Sequence, residues 1–294
     1  MSFRASAVRI TLASRTALMS LEYDLIAIAN SEFTTALVGS LAGAFAGAYA
    51  AQKIALRAKL RDEVIRDIRN VNAAISLAAG IASSAFNLKS QHVRPMFAAY
   101  VAEKERFKNW SPKLAAGEIK GDARYELKVD LRTAPTLSTP ISALSDLVYG
   151  YISATGRPLS LCAALTAAVE RLNQTVEQRN RMIESFKGGT LPAGSDVVSL
   201  YFGLPYGEGH VNEEFGDHLS GMNSYLDDAI FFSTQLCADL TEHGEQILKR
   251  HKRAFKAKEL NVSRTDFSAQ RAAKLVPDDR LYETWFTGFQ KRDK

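Results

Sequence analysis

The amino-acid sequence predicts a mainly α-helical membrane protein, with a single transmembrane helix near the N-terminus and a helical cytoplasmic domain with a small β element. Residues 33–52 are uncharged and number about twenty, the length needed to cross a bilayer. Most later apolar positions recur with the helical period of 3.6, whereas one short segment, 124–132, alternates with the period of two that is typical of strands. The predicted segments are an N-terminal tail (1–32), the transmembrane helix (33–52), an amphipathic stalk with a buried helix (53–110), the helical domain (111–260) and a C-terminal tail (261–294).

The uncharged run reads FTTALVGSLAGAFAGAYAAQ and is rich in alanine and glycine. A helix of about twenty residues is about 30 Å long, which matches the hydrocarbon thickness of a membrane. Three glycines fall four residues apart, and a row of bulky side chains lies roughly opposite. The glycines are Gly39, Gly43 and Gly47, and the bulky residues are Leu37, Leu41, Phe45 and Tyr49. Because small residues let helix backbones approach closely in lipid, this pattern predicts a helix-packing face and a homo-oligomer.

A cleaved signal peptide and an alanine-rich core helix are the alternatives for this run. Residues 48–50 (AYA) resemble a cleavage site, but the positions that follow are basic, unlike most mature N-termini. Each glycine also costs a soluble helix about 1 kcal/mol, which favours the membrane span. The excess of lysine and arginine after residue 52 predicts a single-pass protein of the inner membrane with residues 53 onward in the cytoplasm.

A second uncharged run, residues 70–88, follows an amphipathic stretch. Its asparagines and serines make it less apolar, so we expect a buried helix of the soluble domain, with a second membrane span as the alternative. Further helices are predicted near 140–154, 158–187 and 211–257, and Gly188 and Gly189 are a natural stop for the second of these.

The β element is predicted from two segments. Residues 124–132 (RYELKVDLR) alternate strictly between apolar and charged side chains, which is typical of a strand with one solvated face. Because a lone strand is not stable, it needs a partner, and residues 196–204 (DVVSLYFGL) are the best candidate.

Candidate chemistry is sparse. The segment HVNEEFGDH would place four potential ligands on one helical face, which predicts a weak divalent-metal site, with a solvated acidic face or a helix cap as the alternative. Those ligands are His210, Glu214, Asp217 and His218. The sequence predicts no catalytic residue and no cofactor, because it contains neither a phosphate-binding loop nor a nucleophile motif. Cys162 and Cys237 are expected to be reduced, buried thiols.

A basic cluster within residues 248–258 is the other candidate site, in a chain with a net charge of +5. It consists of Lys249, Arg250, Lys252, Arg253, Lys256 and Lys258. Such a cluster suits anionic lipid or the phosphates of nucleic acid, and lipid is favoured if the membrane lies close by. A solvated helix end is the alternative, because cations also suit a helix C-terminus.

These features predict an oligomerising inner-membrane protein, of which a membrane-perturbing effector of the defence or toxin type, controlled through its cytoplasmic domain, is the leading hypothesis. A passive anchor or scaffold for a cytoplasmic partner is the second hypothesis, since glycine faces can simply dimerise a helix. A membrane-tethered, metal-dependent hydrolase that uses His210 to His218 is the third. The expected partners are the bilayer, further copies of the chain and a cytoplasmic protein, with nucleic acid less favoured.

Overall fold

The computed structural model describes residues 32–119, 123–251 and 260–289. It confirms the prediction of a mainly helical protein, since 74% of these residues are helical and none belongs to a strand. In chain order the elements are α1 (Glu32–Leu88), a π-helical turn (Lys89–Val93), α2 (Arg94–Ala115), α3 (Ile141–Gly150), α4 (Arg157–Gly188), α5 (Val197–Phe202), α6 (Glu214–His251), α7 (Ser268–Ala272), a 3-10 turn (Asp279–Tyr282) and α8 (Glu283–Thr287).

The chain divides into two compact units, Met1–Glu63 and Val64–Lys294. In the first unit the described residues, 32–63, all belong to α1. Large apolar side chains of this part of α1 are exposed, and none of its described residues is buried. The second unit has a hydrophobic core of its own.

Residues 64–88 of α1 pack against α6 in the core of the second unit. The thiol of Cys237 lies 3.7 Å from the carbonyl oxygen of Ile75, and the ammonium of Lys89 pairs with the carboxylate of Asp227. Because rising numbers on α1 meet falling numbers on α6, the two helices are antiparallel. The buried positions of α1 recur at helical spacing and are Val64, Ile68, Val71, Ala74, Ile75, Ala78, Ile81, Ala82, Ala85, Phe86 and Leu88. Residues 70–88 thus form a core helix, as the sequence predicts.

Gly244 of α6 permits a close approach of α6 to Val71 of α1 and to Val262. A Cβ atom added there would lie 2.9 Å from Cγ2 of Val262 and 3.1 Å from Cγ1 of Val71. Real Cβ atoms essentially never come closer than 3.0 Å to a neighbour, so any larger residue has to displace one valine or both.

Local sequence explains where α4 and α5 begin and end. Pro158 lies in the first turn of α4, where its missing N–H costs nothing, and Gly189 ends the helix in the left-handed region with φ of 65°. Helix α5 begins with a capping box, in which the carboxylate of Asp196 accepts from Ser199 N and the hydroxyl of Ser199 accepts from Asp196 N.

The predicted β element is wrong for both segments. Residues 197–202 form α5, because the Asp196 cap and the left-handed Gly203 bracket a single helical stretch. Residues 124–132 carry no strand; they lie on the helices, with alternate side chains turned toward the core. Those side chains are Tyr125, Leu127, Val129 and Leu131. The period of two therefore reports one buried side of an extended chain rather than a sheet.

Asparagine side chains of α4 bind the backbone of the extended segment just after the predicted strand, at residues 134 and 137. Asn180 accepts from the N–H of Ala134 at 2.9 Å and donates to its carbonyl oxygen at 2.8 Å. Asn173 does the same for Leu137, at 2.7 and 3.1 Å. The two asparagines are seven residues apart, so they lie two turns apart on one face. The guanidinium of Arg179, which is 1% exposed, adds a bond to the carbonyl oxygen of Arg132.

Glu103 of α2 holds the beginning of the same extended segment. Its buried carboxylate accepts from Lys128 N at 2.8 Å, from the hydroxyl of Tyr125 at 3.1 Å and from Arg106 Nε at 2.9 Å. Burial acts to raise the pKa of Glu103, but these hydrogen bonds outweigh it and hold the pKa below its ordinary value.

Residues 261–289, within the predicted C-terminal tail, pack on the core of the second unit. Asn72 of α1 donates to the carbonyl oxygen of Asn261 at 2.9 Å and accepts from Ser263 N at 2.8 Å. Further along, the ring of Tyr282 stacks on Phe231 with a centroid distance of 3.7 Å. The described part of this segment therefore belongs to the folded unit.

Candidate membrane-associating site

The run from Thr34 to Gln52 is helical and lies on the surface. Phe45 is 74% exposed and Val38 is 59% exposed, values that are unusual for large apolar residues of a folded chain in water. Between residues 37 and 60 the large apolar side chains that are 40–74% exposed are Leu37, Val38, Leu41, Phe45, Tyr49, Ile54, Leu56 and Leu60. This part of α1 therefore lacks a partner for its apolar surface within the described chain.

The glycine row is open. A Cβ atom added to Gly39, Gly43 or Gly47 would meet no atom within 4 Å. No neighbour in the described chain therefore requires glycine at these positions. Since each glycine lowers the helix propensity by about 1 kcal/mol relative to alanine, three in register cost α1 about 3 kcal/mol, and no contact with the described part of the chain compensates for this.

Polar contacts of this run include one at Ser40 and one at its end between Tyr49 and Lys53. The hydroxyl of Ser40 donates to the carbonyl oxygen of Leu37 at 2.9 Å, so it leaves no free donor. At the end of the run the ammonium of Lys53 lies 5.8 Å from the centroid of the Tyr49 ring. Tyrosine and lysine are residues that anchor helix ends at a membrane interface.

One helical stretch near the N-terminus of the described chain, Thr34–Ala115, is long and apolar enough to cross a membrane by length and composition. Half of its qualifying window is buried. No residue of 34–63 is buried, so that window lies in the later part of the stretch, which contains the core segment 70–88. Core helices pass the same composition test, which makes this weak evidence for a membrane span. The stronger observation is the exposure of the large apolar side chains between residues 37 and 60.

The predicted metal ligands are not arranged on one helical face. Helix α6 begins at Glu214, so His210 lies before it, in a turn where its backbone bonds with that of Tyr206. Asp217 and Glu214 occupy the first turn of α6, where negatively charged carboxylates interact favourably with the positive end of the helix dipole. Across residues 32–119, 123–251 and 260–289, no group of three or more potential ligands could hold a metal ion. The helical spacing assumed for His210 and His218 is therefore wrong.

The basic cluster falls only partly within the described residues. Lys249 and Arg250 are exposed in the last turn of α6. Lys252, Arg253, Lys256 and Lys258 lie outside the described residues. Binding of anionic lipid or nucleic acid there stays a prediction.

The structure reveals a polar seam that the sequence did not predict. The hydroxyl of Ser153 donates to Asp67 Oδ2 at 2.6 Å and lies 3.3 Å from His243 Nε2. Here the serine, and not the imidazole, occupies the middle position, so the group does not form a nucleophilic triad. Nearby, Arg157 Nε donates to Asp239 Oδ2 at 2.7 Å. These bonds join Ser153, in the loop before α4, and Arg157, the first residue of α4, to α1 and α6. No sequence motif predicts them.

Both cysteines are free and buried. Burial raises the pKa of Cys237 to about 12 and raises that of Cys162 as well. Neither thiol is therefore suited to act as a nucleophile at neutral pH.

Comparison with known proteins leaves this site to be interpreted on its own geometry. No protein-family model, no curated protein and no solved structure matches the chain.

Proposed function

We propose that this chain is a single-pass protein of the inner membrane that associates with further copies of itself through Gly39, Gly43 and Gly47. The observation that carries the proposal is the exposed run of α1, in which an open glycine row lies opposite a row of large apolar side chains. In water the exposed apolar surface of the bulky row is unfavourable, whereas in a membrane the same surface is solvated by lipid chains. In lipid the glycine row is the side on which two backbones can approach closely.

Orientation follows from charge. The cations Lys53, Arg57, Lys59 and Arg61 come directly after the run, so the second unit is proposed to lie in the cytoplasm. The expected consequence of association is perturbation of the membrane, with the cytoplasmic unit as the element that controls it. A passive anchor is the competing function, and the two differ in what association does to the bilayer.

Disulfide crosslinking in membranes tests the packing face. Ala36 lies on the glycine side of the helix and Val38 lies on the bulky side, so Ala36→Cys and Val38→Cys are a matched pair. The native cysteines are buried and do not interfere. Oxidation should give a dimer with Ala36→Cys and little dimer with Val38→Cys. Equal crosslinking of the two variants, or none in either, would refute the glycine interface.

Induced expression in bacterial cells tests the consequence. We expect growth arrest with loss of membrane potential, abolished by Gly43→Leu because leucine separates the backbones. Val38→Leu, on the opposite side, is the control and should retain the effect. Harmless expression together with intact crosslinking would support the anchor, and recovery of the chain in the soluble fraction would refute both functions.

A further inference from the structure

A groove beside α2 in the second unit has an apolar floor and two lysines at its edge. Its volume is about 290 Å³, near the lower end of the range for small-molecule sites. The floor consists of Phe107 and Phe202, whose rings stack with centroids 4.7 Å apart, together with Leu204. None of the described acidic residues lines the groove.

The aromatic floor of the groove is preformed, because neighbouring rings hold it in place. The ring of Tyr125 meets Phe107 edge-on at 5.0 Å, and the indole of Trp110 lies 6.1 Å from Phe107. Tyr125 is itself held by its hydrogen bond to the buried carboxylate of Glu103. A surface ordered in this way costs a ligand little conformational entropy on binding.

The edge is cationic and uncompensated. Lys104 and Lys108 are one turn apart on α2, and neither makes an ion pair within the described residues. Within the described residues the ammonium of Lys104 donates to the hydroxyl of Tyr100 at 3.4 Å and lies 5.6 Å from the centroid of the same ring. The hydroxyl of Ser111 adds a neutral donor to the same lining. An apolar floor with a cationic edge is complementary to a molecule with an alkyl tail and an anionic head.

We propose that this groove binds a single-chain anionic amphiphile, with a carboxylate between Lys104 and Lys108 and the alkyl chain on Phe107 and Phe202. A volume of about 290 Å³ favours one short alkyl chain over the two longer chains of a bilayer phospholipid. This site lies wholly in the second unit and does not depend on the proposed membrane span.

Fluorescence of Trp110 provides the test. The chain has two tryptophans, so Trp285→Phe leaves Trp110 as the single reporter beside the groove. With the full chain in zwitterionic nanodiscs, 10-bromodecanoate should quench Trp110 saturably, and 10-bromodecanol should bind at least about tenfold more weakly for want of a charge. Because each buried methylene tightens binding about fourfold, 8-bromooctanoate should bind about fifteenfold more weakly than the ten-carbon acid.

Variants separate specific binding from partition into the bilayer. Combined Lys104→Gln and Lys108→Gln should remove the preference for acid over alcohol, whereas Lys113→Gln, on the same helix outside the groove, should keep it. Ser111→Phe should weaken both probes by filling the groove. Quenching that never saturates, that equals the alcohol's, or that ignores both lysines would overturn the proposal. Insertion of the chain into nanodiscs is measured separately, so a failure of the proposed membrane span is distinguished from a failure of the groove to bind its ligand.

Discussion

Replacing Asn180 by alanine tests whether side-chain clamps hold the extended segment. The substitution removes two hydrogen bonds, to the N–H and to the carbonyl oxygen of Ala134. Each such bond contributes about 0.5–1.5 kcal/mol net, and a buried group left without a partner costs about 1–3 kcal/mol. Ala134 is only 4% exposed, so water replaces the lost amide poorly. We therefore expect the free energy of unfolding to fall by about 2–4 kcal/mol.

Urea unfolding of the full chain in mild detergent, followed by circular dichroism and by fluorescence, measures this loss. Trp110 reports on the segment directly, because its ring lies 5.1 Å from that of Tyr125. Asn87→Ala is the matched control: this exposed helical asparagine makes no side-chain bond within the described residues and gains the same helix propensity from alanine. If Asn180→Ala and Asn87→Ala unfold within about 0.5 kcal/mol of each other, the clamp does not stabilise the fold.

Three further results are expected. Gly244→Ala should lower the free energy of unfolding by up to about 2 kcal/mol, since overpacking of about 1–3 kcal/mol outweighs the gain in helix propensity. Gly80→Ala should raise it by up to about 1 kcal/mol, because a Cβ atom there meets no described atom within 4 Å. The urea midpoints of the two variants test this difference. The pKa of Glu103 in the folded chain lies below its ordinary value of 4.5, so the ionised carboxylate stabilises the fold above pH 4.5, and this stabilisation is lost as the pH falls through the lower, folded-state pKa. Glu103→Gln should therefore reduce the acid sensitivity of the urea midpoint. An unchanged pH profile would argue against this. Cys237 should react with a maleimide at pH 7 only after unfolding, and rapid labelling of the native chain, read by mass, would contradict its burial.

Helix content and several helix limits could be predicted from the sequence. The apolar positions of residues 64–88 recur at helical spacing, and Gly189 ends α4 where a residue with φ of 65° is required. Such features are encoded within one or two helical turns, which is why they are legible without tertiary information. Helix α6 begins at Glu214 rather than near residue 211, so His210 lies outside the helix and the helical spacing predicted for His210 and His218 is wrong.

The β prediction failed because a period of two describes only one side of a chain. The alternation of residues 124–132 correctly indicates which side chains are turned inward. The side chains that bond to the backbone of Lys128, Ala134 and Leu137 come from distant residues of the sequence. They are Glu103, Asn180 and Asn173, and nothing in their local sequence marks them as hydrogen-bond partners of this segment.

By itself the sequence determined that this protein is helical and that residues 33–52 are uncharged and carry a glycine row, because both properties are local. Only the tertiary structure decided between the two uncharged runs: residues 70–88 are packed in the core, whereas the glycine-bearing run stays exposed. Both runs satisfy the same composition rule, and burial depends on which distant surfaces each helix meets. Residues 64–88 of α1 meet α6, whereas the large apolar side chains between residues 37 and 60 stay exposed.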